Sequence, residues 1–266
     1  HHSVDPEVII GYANTYYEFL LKMREDIPSI TDYEKSVLSL LGKDFLPGKR
    51  LHEILLLKLL VEKGELPKEQ FKKELKAQDI HFNEDTIFSV ENVLSLNFFV
   101  ENDRKKFGSK GIVLLKDGIY RFNDELQQSL LDEYFKQYFT TLLECAFIKN
   151  EKYRKDSPFT LYEKYSRREV CRLLNWDKNE EGTLNGGRPK NGDFPIFVNY
   201  HKVEDDSETK YMDEFLSNET FRWCTTKNRY LHSNEILALV QNAEKTNAHL
   251  FVKKDNGEGK DFYYLG

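Results

Sequence analysis

The hydrophobic period of the chain changes once, and that change limits the fold more than any other feature. Before residue 150 the apolar side chains recur every three or four positions, as in Val8, Ile9, Tyr12, Tyr16, Phe19, Leu20 and Met23. Beyond residue 158 they fall in short runs of strand length, as in Phe194 to Tyr200 and His249 to Lys254. Between the two lies Asn150 to Pro158, NEKYRKDSP, polar and rich in charge. A helix buries a stripe and a strand buries a face, so the halves need separate solutions. The chain therefore reads as α+β: a helical domain over 1–150 and a small mixed, barrel-like domain with short helices over 151–266. Its 266 residues fit two ordinary domains. With 19 Phe and 15 Tyr it can bury two cores, which excludes global disorder.

The order of elements in the first half is informative. The pattern predicts helices over Pro6 to Asp26, Tyr33 to Leu41, Leu51 to Lys63, Pro67 to Ala77 and Glu84 to Phe98. Gly111 to Phe122, GIVLLKDGIYRF, then sets Asp117-Gly118 between two apolar runs, a strong hairpin signal. Three helices followed by a hairpin is a winged-helix-like plan, whose relatives lay a recognition helix in the DNA major groove. The helix in that position carries Glu84, Asp85 and Glu91 and no Lys or Arg, so it would repel phosphate. The half reads as a packing module. If it touches DNA, then Arg104, Lys105, Lys106 and Lys110 are the better candidates. A long helix over Asp124 to Lys149 closes it.

The second half opens on a capped short helix, with Ser166 at the N-cap and Glu169 at N3. Strands are expected at Phe194 to Tyr200, Phe221 to Thr225, His249 to Lys254 and Asp261 to Leu265, with a helix over Asn234 to Glu244. Three basic clusters lie here. Arg167, Arg168 and Arg172 share the short helix. Arg188 and Lys190 stand in the turn GGRPK, read as a flexible surface loop offered to an anion or as a plain structural turn. Arg222, Lys227 and Arg229 interleave with Trp223, Tyr230 and His232. Aromatic faces stack bases while cations neutralise phosphate. Trp223 fits a core position equally well, and Tyr200 and Lys202 sit at a strand end.

Catalytic signals are weak. The adjacent glycines of GGRPK do not make a Walker phosphate loop, which needs G-x-x-x-x-G-K-[ST] between strand and helix. No G-x-S-x-G or H-E-x-x-H occurs. The triplets Glu74-Leu75-Lys76 and Glu258-Gly259-Lys260 resemble a nuclease E-x-K only by chance. Tyr200-His201-Lys202 reads as surface. Glu204, Asp205, Asp206 and Glu208 read as a solvated run. Cys145, Cys171 and Cys224 stand far apart, as reduced thiols of a cytoplasmic protein would. No apolar run reaches 18 residues, so no membrane partner is expected. His1-His2-Ser3 reads as an affinity-tag remnant, and a start without Met fits a piece of a longer protein. The net charge of −6 argues against a uniformly basic nucleic-acid binder but not against a local basic face.

Four ordered segments carry a family resemblance: LYEKYSRREVCRLLNW, GGRPKNGDFPIFVNYHK, YMDEFLSNETFRW and HLFVKKDNGEGKDFYYLG. Together, over 159–266, they resemble the C-terminal domain of unknown function of bacterial superfamily-two (DEAD/DEAH-type) DNA helicases. Those helicases often carry a phospholipase-D-type nuclease. The helical half is similar to the segment that follows the helicase core. The resemblance implies a restriction or phage-defence setting, a PUA-like barrel as in modified-base readers, and two partners: DNA and the helicase core of the same polypeptide. It implies no cofactor and no catalysis in this chain, which lacks ATPase and nuclease motifs. Under that reading the nucleic-acid-binding set is Arg167, Arg168, Arg188, Lys190, Tyr200, Lys202, Arg222, Trp223, Lys227, Arg229 and Tyr230. The chain departs from the family at Cys224-Thr225-Thr226, where relatives place a basic residue. The other reading is a protein-interaction or autoinhibitory module that does not touch DNA.

Overall fold

The computed structural model describes residues 13, 15–23, 26–153, 156–184, 186–200, 213–217, 219–224, 230, 232–241 and 243–266. The chain divides into two compact units, 1–158 and 159–266. The architecture is mixed α+β, about 47% helix and 16% strand, with small sheets.

The first unit runs α1 (Tyr16–Lys22), α2 (Asp32–Leu40), a π turn (Leu41–Phe45), α3 (His52–Lys63), β1 (Glu65–Pro67), α4 (Lys68–Ala77), α5 (Glu84–Leu94), α6 (Glu101–Lys106), β2 (Val113–Lys116), β3 (Ile119–Phe122), α7 (Asp124–Ser129) and α8 (Glu133–Glu151). Residues 6–12, 14, 24 and 25 of the predicted first helix lie outside the described residues. Helix α3 is apolar nearly all round, with Ile54 to Leu57, Leu59 and Leu60 all buried, which makes it the centre of the unit. Helix α8 packs against it and buries Phe135, Phe139, Leu142 and Leu143. The hairpin forms as read: Asp117 (φ 51°) and Gly118 (φ 76°) both take the left-handed conformation that a two-residue β-turn requires. The third strand, β1, pairs with β3 and completes a three-stranded sheet in the order β1-β3-β2.

Two sequence expectations need correction here. The helix over 84–98 ends at Leu94. The helix over 124–149 is two, because Asp132 leaves helical geometry and its carboxylate accepts the Phe135 N–H at 2.9 Å, capping a new start. Two of the three acidic residues of α5 are also internally engaged. Glu84 pairs with Lys72 at 2.9 Å. Glu91 takes Lys68 at 2.8 Å and the Tyr120 hydroxyl at 2.6 Å.

The second unit holds β4 (Lys164–Tyr165), α9 (Arg167–Leu173), β5 (Asp193–Asn199), β6 (Glu214–Phe215), β7 (Phe221–Arg222), α10 (Asn234–Gln241), β8 (Asn247–Lys253) and β9 (Phe262–Tyr264). The main sheet has the order β4-β9-β8-β5, and β6-β7 form a separate ribbon. Strands β5 and β8 run parallel over seven paired residues, with α10 between them in sequence. A parallel pair needs such a long connection. The barrel expectation is therefore corrected: with β4 and β5 as its two edges, the four-stranded sheet is open, and no closed barrel forms among the described residues.

Candidate nucleic-acid interface

The parity of β5 and β8 assigns the side chains of the second unit to two faces. Phe194, Ile196 and Val198 share one face with Val252, against which Phe221 and Trp223 pack. Phe197 and Phe251 stack on the other at 4.9 Å. Phe159, Tyr165, Phe262 and Tyr264 join that aromatic layer. At one end of it the His249 ring meets the Asp193 carboxylate at 2.8 Å. At the other end stand Asn199 and Lys253, the last residues of the paired strands.

The segment that carries Arg188 and Lys190 is not a loose loop. Phe197 N–H donates to the Gly186 carbonyl at 3.1 Å, and Lys190 and Asp193 exchange both backbone hydrogen bonds at 2.9 and 3.0 Å. The two residues between them, Asn191 (φ 57°) and Gly192 (φ 85°), make the same kind of tight turn as Asp117-Gly118. Residues 186–190 thus lie as an antiparallel arm along β5, with Gly187 opposite Ile196. A Cβ on Gly187 would stand 2.6 Å from the Phe194 ring, so glycine is what lets the arm approach.

Both cations of the arm are held by an acidic run just upstream. Arg188 pairs with Glu180 at 2.6 Å and donates to the Thr183 hydroxyl at 2.9 Å. Lys190 pairs with Asp177 and, at 2.6 Å, with Glu180, while lying 5.1 Å above the Trp176 ring. Burial alone would lower the Lys190 pKa, but the two carboxylates outweigh it and hold it above its ordinary value. The Lys190 hydrogen bond holds Asp177 below its own.

The remaining candidates separate in the same way. Arg168 lies 3.5 Å from Glu181, and Arg222 pairs with Glu214 across the β6-β7 ribbon. Trp223 packs edge-on against Phe194 at 5.9 Å, the core position that its alternation allowed. Tyr200 is exposed and rests 5.8 Å from Phe215, itself exposed. Tyr230 is exposed and stacks on His232 at 5.6 Å. Lys202, Lys227 and Arg229 lie outside the described residues, as do His201 and the acidic run at 204–208.

Arg167 differs from all of these. Its guanidinium lies 4.8 Å over Phe262 and 5.2 Å over Phe197. Its Nε is buried with no hydrogen-bond partner. Burial lowers its pKa, and the field of Glu181 offsets that only in part. Lys253, which the sequence reading did not single out, shares the Phe262 ring at 4.7 Å and donates to the Gly259 carbonyl at 2.9 Å. Its parity with His249 and Phe251 was the available signal: a lysine on the apolar face of a strand. Among the described residues there is no cluster of metal-ligating side chains, and no helix is long and apolar enough to cross a membrane.

Residues 159–266 match the family model described as domain of unknown function DUF3427, consistent with a helicase-associated C-terminal domain. No curated protein matches the sequence significantly. Residues 1–155 match a second model, domain of unknown function DUF8090. That match spans more than half of the chain, and the chain belongs to the DUF8090 family.

Proposed function

We propose that this chain is a DNA-binding accessory region of a helicase or restriction-type nuclease, which positions or regulates a motor located elsewhere in the polypeptide. One observation carries the reading. Basic and aromatic groups lie at the carboxyl ends of the parallel strands β5 and β8: Lys253 and Arg167 at the aromatic layer of one face, and Tyr200, just past β5, beside Phe215. Open sheets with parallel strands bind ligands at that end. The DUF3427 match agrees with a helicase setting. In this reading the chain needs no cofactor of its own, works in the cytoplasm and neither hydrolyses ATP nor cuts DNA. The first unit's order of helix, strand, three helices and hairpin supports a winged-helix-type packing module. In the sharper form of the reading, a modified or flipped nucleotide meets the exposed aromatics Tyr200 and Tyr230.

Fluorescence anisotropy with plain and modified duplexes at two salt concentrations tests this reading. Salt-dependent binding supports it, and absence of binding at about 50 mM salt overturns it.

A specific observation favours a second reading, an interaction or autoinhibitory module. Arg168, Arg188, Lys190 and Arg222 all have carboxylate partners within the chain, whose net charge is −6. Deleting the region would then change ATPase control or assembly of the parent protein without changing its DNA affinity.

A further inference from the structure

Two cations of the second unit have no carboxylate at ion-pair distance among the described residues, although the field of Glu181 reaches Arg167. Lys253 is 7% exposed, and its ammonium group donates to a single carbonyl, that of Gly259. Arg167 is half-buried, and its guanidinium spends its contacts on two rings rather than on oxygen. Among the described residues neither is within ion-pair distance of a carboxylate, whereas Arg168, Arg188, Lys190 and Arg222 all are. Both meet one ring, Phe262, with the guanidinium 4.8 Å and the ammonium 4.7 Å from its centroid.

Burying a cation without an ion-pair partner is costly. Cation–π contact returns part of that cost. The aromatic layer is otherwise apolar here, with Phe197, Phe251 and Phe262 packed on one another. Oxygen anions with tetrahedral geometry suit such a pair: the guanidinium offers a planar fork of donors and the ammonium offers three more, only one of them used.

We infer that Arg167 and Lys253 form an anion site, set at the carboxyl ends of β5 and β8, that takes a phosphate group. The inference rests on the DNA-binding reading only for the source of that phosphate, which is either the nucleic-acid backbone or a free phosphate ion.

The test uses the whole chain and two probes. Isothermal titration with inorganic phosphate, at ionic strength held constant with chloride, compares the wild type with Arg167→Gln and Lys253→Met. The expected result is saturable binding whose Kd rises about tenfold or more in each variant, as loss of a charge-assisted hydrogen bond implies. Lys253 is buried, so if Lys253→Met does not fold, the half-exposed Arg167→Gln decides alone. Equal heats in wild type and Arg167→Gln overturn the site. Anisotropy with a short duplex then identifies the source. A salt slope reduced by about one per variant places a backbone phosphate in the site. Phosphate binding that these variants weaken, with an unchanged duplex slope, assigns the site to the free ion. Duplex binding that neither variant affects, together with no phosphate binding, leaves the DNA reading standing and refutes the site.

Discussion

His52 gives the first unit a sensitivity to acid that can be calculated. It sits on α3 with its side chain buried, and Nε2 lies 3.0 Å from the His81 carbonyl. A carbonyl only accepts, so Nε2 carries the proton. Nδ1 is then the bare acceptor, and it is buried with no hydrogen-bond partner. Charging the ring would place a second N–H in that unsolvated space, beside the Arg50 guanidinium. Burial first and Arg50 second lower the His52 pKa from 6.5 to about 4. Between those values the unfolded chain binds a proton that the folded one refuses, so stability is full above pH 6.5 and falls as pH drops toward 4. Going from pH 7.5 to 5 should cost about 2 kcal/mol from this group. Urea unfolding of the wild type and His52→Gln, followed by far-ultraviolet circular dichroism at both pH values, isolates the effect. Gln keeps a donor for the His81 carbonyl but cannot titrate. The wild type should lose about 2 kcal/mol more than the variant on acidification. Equal losses would refute the argument that the buried ring resists protonation.

Three further outcomes follow from the geometry. Glu53 accepts both Arg50 Nε contacts at 3.0 Å in the interior, where Arg50 also donates to the Ser89 hydroxyl at 3.1 Å, so Glu53→Gln removes the charge of a carboxylate that meets the buried guanidinium through both oxygens. A loss of about 3 kcal/mol in denaturant unfolding is expected, and a loss under about 1 would count against the pair. Gly187→Ala drives a methyl group into the Phe194 ring and should destabilise the second unit by about 1–3 kcal/mol, seen as a lower thermal midpoint. Glu180→Gln removes a carboxylate shared by Arg188 and Lys190. If the arm faces DNA, duplex affinity rises and its salt slope steepens; an unchanged slope assigns the arm to structure alone.

Features encoded over a few residues were legible in the sequence. Asp117-Gly118 marks its turn because few other pairs tolerate two left-handed residues in succession, and Ser166 caps α9 by accepting the Glu169 N–H at 3.1 Å. The signal at Asn191-Gly192 is equally local, and the turn falls there rather than at the adjacent glycines of GGRPK. The partnership of Lys190 with Asp177 and Glu180 was harder to see. It depends on the path of the chain between them, which no periodicity reports. The parallel pairing of β5 with β8 was also hidden, since alternation shows that a strand has two faces but not which strand lies beside it. The candidate site shares that limit. Arg167 and Lys253 are 86 positions apart in sequence and meet at Phe262 only once the sheet exists.

The long connection between β5 and β8 bears on how the second unit assembles. Strands β8 and β9 are neighbours in sequence and can close as a hairpin within microseconds. Strand β5 pairs with partners 54 positions away, so its ordering waits on closure of a large loop whose entropic cost precedes any contact. Until then Phe197 and Phe251 cannot stack, and the aromatic layer has no second wall. Lys253 and Phe262 already meet through the β8-β9 pair, whereas Phe197, the second ring beneath Arg167, arrives only when β5 docks.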